Sequence, residues 1–263
     1  MIRNENPGLL VSDYDSVSLE DLNSAQLLNR KDTKFVFNQT QLQSVLEKLK
    51  PDFRVLEIDG NRIIGYENVY FDTDNFLFYR QHHNGIRTRY KVRLRRYLVP
   101  DVCYFEIKMK NNKDRTIKRR IEVPGMSDSF TEPAREMISD LTAVSPTKLS
   151  PKLKAKFSRI TLVDTDFRDR VTIDLDLSVA NGSARKHFKN LVISEVKQSR
   201  YRPRSKFIRE MRERSVAEMR ISKYCAGILA TYDGVKYNRY KPKLLRIDKL
   251  MSEGSFSGEA DDG

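Results

Sequence analysis

Cationic side chains recur at every second position in one central segment of the sequence. Between residues 89 and 97 the alternating cations are Arg89, Lys91, Arg93 and Arg95. Successive side chains of a β-strand point to opposite faces, so these cations would share one face of a strand. Like charges aligned on a strand repel each other, and this face therefore requires water, nearby carboxylates or a bound polyanion. A solvated surface strand would explain one such row.

Similar rows along the chain favour the bound polyanion. The residues predicted to share such faces are Arg30, Asp32 and Lys34; Glu106, Lys108 and Lys110; Lys118, Arg120 and Glu122; Arg159; Arg170, Asp174 and Asp176; and Glu195 and Lys197. Apolar residues occupy the alternate positions, for example Phe105 and Ile107. We therefore expect an α+β fold: an antiparallel β-barrel that forms a tunnel, with charged faces inside and flanking helices outside.

Composition limits the classes of protein and partner. The chain has 263 residues, a net charge of +13 and 39% hydrophobic residues, so it can bury a core and favours an anionic partner. Cys103 and Cys225 are far apart and lack metal-ligand spacing, which favours a reducing compartment. The N-terminus lacks a signal peptide's apolar core, and no apolar run is long enough to span a membrane. We expect a cytoplasmic protein, with any membrane role supplied through a partner.

Local patterns predict the remaining organisation. We expect residues 1–17 to be irregular, 18–251 to form a single domain, and the acidic tail 252–263 to be disordered. Helices are predicted over 18–28, 40–49, 75–82, 131–142, from Pro203 onward and over 222–231. Asn84-Gly85 predicts a tight turn, and residues 145–156 a connector before a strand at 157–163.

An interior lined by cations would suit phosphate chemistry. The cations expected there are Lys34, Arg93, Arg95, Lys108, Lys118, Arg159 and Arg170. Burying them without anions is costly, whereas phosphate offsets the cost and matches the arginine fork. The carboxylates Glu106, Glu122, Asp174, Asp176 and Glu195 would pair with cations or hold a divalent metal that bridges phosphate oxygens. This combination indicates phosphoryl transfer.

Signals for other sites are weak or absent. The sequence has no P-loop and no dinucleotide glycine fingerprint. His82-His83 is expected on the surface, since no third metal ligand has helpful spacing. The arginine-rich segment 200–220 fits RNA binding and a solvated helix face equally, but lacks interleaved aromatic residues. We expect no specific nucleic-acid partner.

Eight short motifs occur in a recognisable order. They are Lys34-Phe35, Tyr70-Phe71-Asp72-Thr73, and the segments 90–97, 105–110, 118–120, 170–174, 195–197 and 222–225. Together they resemble the VTC domain of polyphosphate polymerases, in its bacterial form. That family belongs to the triphosphate tunnel metalloenzyme (CYTH-like) superfamily. The resemblance covers roughly residues 27 to 230.

The resemblance implies transfer of the ATP γ-phosphoryl group to a growing polyphosphate chain inside the tunnel. It also implies a divalent metal, Mn²⁺ or Mg²⁺, with Glu195 as ligand and Lys223 as a helix residue that contacts phosphate. We assign the catalytic contacts to Arg93, Arg95, Lys108 and Lys118. Phosphate binding is assigned to Arg30, Lys34, Lys91, Arg120, Arg159, Arg170 and Lys197, and Glu106 is a second candidate metal ligand.

The expected partners are ATP and polyphosphate. Compared with the eukaryotic members of the family that it resembles, we expect this chain to act without the inositol-phosphate-sensing domain and membrane segments of their complex, so that transport of product would need a separate membrane protein. Two alternatives stay open. One is a hydrolase of tripolyphosphate or nucleoside triphosphates in the same tunnel. The other is a non-catalytic polyanion- or RNA-binding module, for which salt-sensitive binding would need no metal.

Overall fold

The computed structural model describes residues 7–24, 30–112 and 115–253. Its helices are α1 (Pro7–Val11), α2 (Leu19–Ser24), α3 (Leu42–Leu49), α4 (Leu77–Asn84), α5 (Glu132–Leu141), α6 (Lys206–Glu213), α7 (Lys223–Thr231) and α8 (Lys241–Ser252). Its strands are β1 (Ser16–Val17), β2 (Lys31–Asn38), β3 (Phe53–Leu56), β4 (Ile63–Asp72), β5 (Arg89–Tyr97), β6 (Val102–Lys110), β7 (Thr116–Val123), β8 (Ser150–Asp164), β9 (Asp169–Ala180), β10 (Arg185–His187) and β11 (Leu191–Gln198).

All these strands belong to one sheet. Its main path runs β2-β11-β9-β8-β4-β5-β6-β7, and each neighbouring pair along it is antiparallel. The short strands β1, β3 and β10 attach beside this path, and β1 pairs with β3 in parallel. Within the described residues, β2 and β7 lie at the two ends of the path. The predicted α+β antiparallel tunnel fold is confirmed, with a sheet that is curled rather than closed by pairing.

Strand register places the alternating charges on one face. Lys91, Lys108 and Lys118 lie directly opposite one another on β5, β6 and β7, so their side chains share a face. We call this the tunnel face and define it by Lys34, Lys91, Arg93, Arg95, Glu106, Lys108, Lys118, Arg159, Asp174, Glu195 and Lys197, which the successive ladders align.

Charge contacts show that the tunnel face curls round on itself. Lys108 lies on β6 and Glu195 on β11, five strand steps apart in the sheet. In a flat sheet five steps would separate them by about 24 Å. Burial lowers the pKa of Lys108, Glu195 opposes that shift, and Lys34 on β2 adds to it. Because charges in a protein interact measurably only over short distances, β6 must face β2 and β11 across the interior.

Apolar packing holds the curl from both sides. Outside, Phe35, Phe37 and Phe207 belong to a buried cluster shared by β2, α3 and α6, and α5 covers β5 and β6. Inside, α7 packs on β8 and β9 at one end of the tunnel face. A Cβ on Gly227 of α7 would overlap the Leu153 side chain on β8, so this close approach requires glycine.

Several predicted boundaries differ from the structure. Residues 7–17 were expected to be irregular, yet they contain α1 and β1. Strand β8 begins at Ser150, so 150–156 is strand and not connector; Pro151 is tolerated because the register shifts where it meets Phe71. Gly85 does not form a hairpin turn but ends α4 with a left-handed φ of 71°.

Three further predictions differ from the structure. Helix α6 starts at Lys206 after the N-cap Ser205, and Pro203 lies outside it. Helix α8 was not predicted. His83, expected on the surface, is buried and stacks on Tyr240 with ring centroids 5.8 Å apart.

The predicted helix portion at 25–28 and the tail residues 254–263 fall outside the described residues. Across the described ranges, no helix combines the length and apolar character needed to cross a membrane.

Candidate functional site: a cationic tunnel face

Glu106 is the centre of the first charge cluster on the tunnel face. Its side chain is 1% exposed and accepts two hydrogen bonds from Arg93, from Nε at 2.8 Å and Nη2 at 2.6 Å. Lys118 Nζ on β7 forms an ion pair with the other carboxylate oxygen. Burial raises the pKa of the Glu106 carboxyl, but the nearby charges of Arg93, Arg95 and Lys118 lower it by more than burial raises it. The pKa of Glu106 therefore lies well below its usual range. Glu106 is therefore an ionised counter-charge.

Asp174 forms the second cluster with cations from a strand and a helix. Arg159 on β8 donates two hydrogen bonds to it, Nε to Oδ1 at 2.6 Å and Nη2 to Oδ2 at 2.9 Å. Lys223, the first residue of α7, donates to Asp174 Oδ2 and lies 4.6 Å from the Phe157 ring centroid. Burial lowers the pKa of Lys223 to about 8, although Asp174 opposes this shift. The tunnel face and the inner helix thus meet at one carboxylate.

Glu195 forms the third cluster, which is looser than the other two. Its oxygens lie 3.5 Å from Lys34 Nζ on β2 and 3.5 Å from Lys197 Nζ on its own strand. Burial raises the pKa of Glu195, while Lys34, Lys197 and Lys108 lower it well below its usual range. Burial lowers the pKa of Lys197 to about 8. One carboxylate here serves several cations.

Lys91 has no carboxylate partner within ion-pair distance among the described residues. It is partly buried between the cations Lys108, Lys34 and Arg93. Burial and these neighbouring charges lower the pKa of Lys91 to about 7, which Cys225 opposes. A bound anion at this position would be stabilised more by the charge of Lys91 than by that of a cation already paired with a carboxylate.

Arg95 is held by an amide and by aromatic rings. Its Nε donates to Asn68 Oδ1 at 2.8 Å, and its guanidinium lies 5.2 Å from the Tyr66 ring centroid. Arg159 lies 4.8 Å from the same ring and 5.3 Å from that of Phe157. Sequence reasoning did not identify these aromatic supports. Their signal was the alternation of Tyr66, Asn68 and Tyr70 on β4, which face the tunnel.

Three predicted phosphate contacts lie at the margins of the tunnel face. Arg30 is exposed and bonds Asp32 at 3.0 Å. Arg120 is exposed on the end strand β7 and lies 4.6 Å from the Tyr104 ring centroid. Arg170 donates to the backbone carbonyl of Leu22 in α2 at 2.5 Å. The structure therefore brings the other nine predicted cations together and leaves these three around them.

Two predicted interior carboxylates are exposed. Asp176 has a left-handed φ of 54°, and the β8–β9 register shifts beside it, between Lys156 and Ser158. This bulge breaks the alternation that predicted an inward side chain. Glu122 lies near the end of the end strand β7, and the described part of the chain leaves its side chain exposed.

The metal assignment fits Glu195 better than Glu106. Both Glu106 oxygens face cations at short range, which leaves no room for an additional cation. Glu195 is bound only loosely, at 3.5 Å, and its carboxylate is ionised. The described residues contain no group of three or more metal-ligating side chains. A metal here would therefore take one carboxylate, with most ligands coming from phosphate and water, as Mg²⁺ commonly does.

A separate cavity lies behind the tunnel face. It has a volume of about 380 Å³ and is lined by the outward residues Leu94 and Phe105 together with Phe130 and Ala134. These side chains are on the face opposite to Arg93 and Glu106, so the cavity is not part of the charged site.

Comparison with solved structures supports the fold. The chain is 12% identical to HpAC1 of Hippeastrum, an adenylyl cyclase candidate described as having a dominant triphosphatase activity; the TM-score is 0.50, over 77% of this chain and 97% of that one. An adenylate cyclase candidate from Bacillus halodurans is 11% identical with a TM-score of 0.49, over 74% and 96%. At 12% identity the likeness to HpAC1 concerns the fold alone. No curated protein matches the chain.

The family assignment comes from the sequence. The family model described as the VTC domain matches residues 29–232, which include every residue of the tunnel face and the start of α7. The predicted resemblance is thus confirmed over most of the chain, and this protein belongs to the VTC domain family.

Proposed function

We propose that this protein is an ATP-dependent polyphosphate polymerase, in which the tunnel face binds the γ-phosphoryl group of ATP and the end of a growing polyphosphate chain. The single observation that carries the proposal is the charge imbalance at the tunnel face. The eight cations of the tunnel face, together with Lys223 of α7, surround the three ion-paired carboxylates Glu106, Asp174 and Glu195. Cations in excess at a desolvated site are stabilised by a ligand with several closely spaced negative charges.

The state of the carboxylates supports transfer to phosphate. Asp174 and Glu106 each contact two cations, and their pKa values are held well below the usual range. A terminal phosphate oxygen is already an anionic nucleophile and needs no general base, whereas water gains from one. The cations would orient both phosphates for in-line attack and neutralise the equatorial oxygens.

Each part of the site has a role in this mechanism. Arg93 and Arg95 would bind the transferred phosphoryl group, because arginine forks match its oxygens. Lys91 and Lys108 would bind the neighbouring phosphates, and a divalent metal at Glu195 would supply further charge neutralisation. The Glu106 carboxylate would hold Arg93 in place between turnovers.

The first experiment is incubation of the purified protein with ATP and Mn²⁺, with Mg²⁺ in parallel. Chains that lengthen on a gel, with one ADP formed per phosphate incorporated, are the expected result. An Arg93→Ala variant should lose about a hundredfold or more in chain synthesis. The matched control is Arg96→Ala on the same strand, whose side chain bonds the exposed Asp101 at 2.6 Å. Equal activity of well-folded Arg93→Ala and wild-type protein would refute the tunnel assignment.

A triphosphatase is the second candidate. The triphosphatase activity described for HpAC1, a protein of the same fold, favours it. It predicts free phosphate from ATP or tripolyphosphate without chain growth. Metal-independent binding of polyphosphate with no turnover would instead identify a binding module.

The proposal also includes a cytoplasmic location and, where product is moved across a membrane, a separate membrane partner. Fractionation of cells that express the tagged protein tests both. Recovery in the membrane fraction that ends when candidate membrane partners are deleted would support this arrangement.

A further inference from the structure

A buried aspartate at the end of β4 connects two helices. Asp72 ends β4 and is 0% exposed. Its carboxylate accepts the backbone N–H groups of Thr73 at 2.8 Å, Phe78 at 2.9 Å and Tyr79 at 2.8 Å. Two of these donors belong to the first turn of α4. The N-cap of α4, Phe76, has no side-chain acceptor for them, so Asp72 caps the helix in its place.

A further donor to Asp72 comes from the inner helix, α7. Tyr224 Oη on α7 donates to Asp72 Oδ2 at 2.5 Å, across 152 residues of sequence. Tyr224 is 2% exposed, and its ring packs on that of Tyr70 with centroids 5.1 Å apart. No lysine or arginine of the described residues forms an ion pair with Asp72. This carboxylate therefore takes no cation away from the tunnel face and acts only through hydrogen bonds.

Tyr224 is adjacent to a functional residue. Lys223 precedes it in α7 and donates to Asp174 on the tunnel face. Fixing the Tyr224 hydroxyl fixes the first turn of the helix, and the backbone of Lys223 lies in that turn. The rest of the turn is held by Ser222, whose hydroxyl accepts the Cys225 N–H at 3.3 Å. The bond to Asp174 holds the ammonium group of Lys223, and an ordered backbone in this turn reduces the entropy that the long side chain loses in making that bond.

We propose that Asp72, through the Tyr224 hydroxyl, is a positioning residue that holds Lys223 at the phosphate site of the tunnel face. This inference rests on the proposed function, because it assigns Lys223 to phosphate binding. It adds a residue pair that lies outside the charged cluster and contacts no substrate.

A double-mutant cycle tests the proposal. Tyr224→Phe removes the hydroxyl and keeps the ring on Tyr70, while Lys223→Met removes the cation that the hydroxyl is inferred to position. The measured quantity is the dissociation constant for tripolyphosphate by calorimetry, with ATP turnover followed in parallel. We expect Tyr224→Phe to weaken binding about threefold to tenfold in the wild-type background, the usual range for one buried hydrogen bond. In the Lys223→Met background we expect no further loss.

The matched control is Tyr232→Phe. Tyr232 follows the C-terminal end of α7 and donates to the Lys152 carbonyl at 2.7 Å, so the same chemical change is made at the other end of the helix. We expect unchanged tripolyphosphate affinity for this variant. Equal losses in Tyr232→Phe and Tyr224→Phe would show a general effect on stability and overturn the proposal. Additive losses in the cycle, or no loss in Tyr224→Phe, would overturn it as well.

The design separates this inference from the proposed function. Wild-type protein that binds tripolyphosphate but forms no chains would refute the polymerase, while the cycle would still report on Lys223. Wild-type protein that binds no tripolyphosphate would overturn both.

Discussion

Replacing Glu106 by Gln should destabilise the ligand-free protein and increase its response to polyphosphate. The change leaves Arg93 and Lys118, whose side chains are 19% and 37% exposed, beside a neutral group. Breaking a buried ion pair costs about 3 to 5 kcal/mol, and we take the lower value because both cations retain some contact with water. For a chain of this size 3 kcal/mol lowers the melting temperature by about 6 to 12 °C.

Phosphate charge should restore part of this loss. In Glu106→Gln protein, bound tripolyphosphate supplies the negative charge that the carboxylate provided, so saturating ligand should raise the melting temperature more than in wild type. The assay is thermal unfolding with and without tripolyphosphate. Glu213→Gln is the control, because Glu213 lies 3.8 Å from Arg209 with both side chains more than half exposed; its loss should stay below about 1 kcal/mol.

Two results would refute this reasoning. A Glu106→Gln melting temperature within about 2 °C of wild type would show that the carboxylate is not the required counter-charge. Equal ligand-induced shifts in both proteins would show that the cations around Glu106 do not meet phosphate.

Three further predictions concern single positions. Burial lowers the pKa of Lys91 to about 7, so Lys91 loses its charge as pH rises through 7. Between pH 6 and pH 9, the affinity for tripolyphosphate should therefore fall about tenfold more in wild type than in Lys91→Arg. Parallel pH profiles of the two proteins in calorimetry would contradict this. Glu195→Gln should abolish Mn²⁺-dependent synthesis while metal-free tripolyphosphate binding tightens, since Lys34 is released; retained Mn²⁺-dependent turnover would contradict the metal assignment. Gly85→Ala should cost about 1 to 2 kcal/mol in urea unfolding, because φ is 71° there; the control Gly125→Ala meets open space and should change little, and equal midpoints would show no strain.

Strand alternation predicted the tunnel face because a period of two follows from backbone geometry alone. Within each strand, charged positions such as Arg93 and Arg95, or Glu106 and Lys108, could be assigned to one face without knowing which strands pair. The prediction failed at Asp176, where a bulge with positive φ turns the side chain outward. Nothing in the composition around Asp176 signals a bulge, since no glycine or proline is present there.

Contacts between segments that are distant in the sequence could not be predicted from it. Asp72 was recognised only as part of a motif, and its bond to Tyr224 depends on how α7 enters the curled sheet. Glu106 was assigned as a metal ligand because strand alternation predicts the face on which a carboxylate lies. Alternation does not predict how far away the neighbouring cationic side chains are or in which direction they point. Helix α8 was missed although its apolar residues Leu244, Ile247 and Met251 repeat at helical spacing.

The open seam of the sheet affects how a polymer can leave. In a barrel closed by pairing, a bound chain can move only along the axis, so its ends determine entry and release. Here the described strands β2 and β7 share no ladder, and the edge of β2 is instead bridged by the segment before α7, where the Met219 N–H donates to the Lys34 carbonyl at 2.8 Å. Lys118 and Arg120 on β7 line that boundary and are exposed. For the polyphosphate chain of the proposed function, a lateral route would therefore run between β7 and this segment, where no ladder between two described strands has to separate.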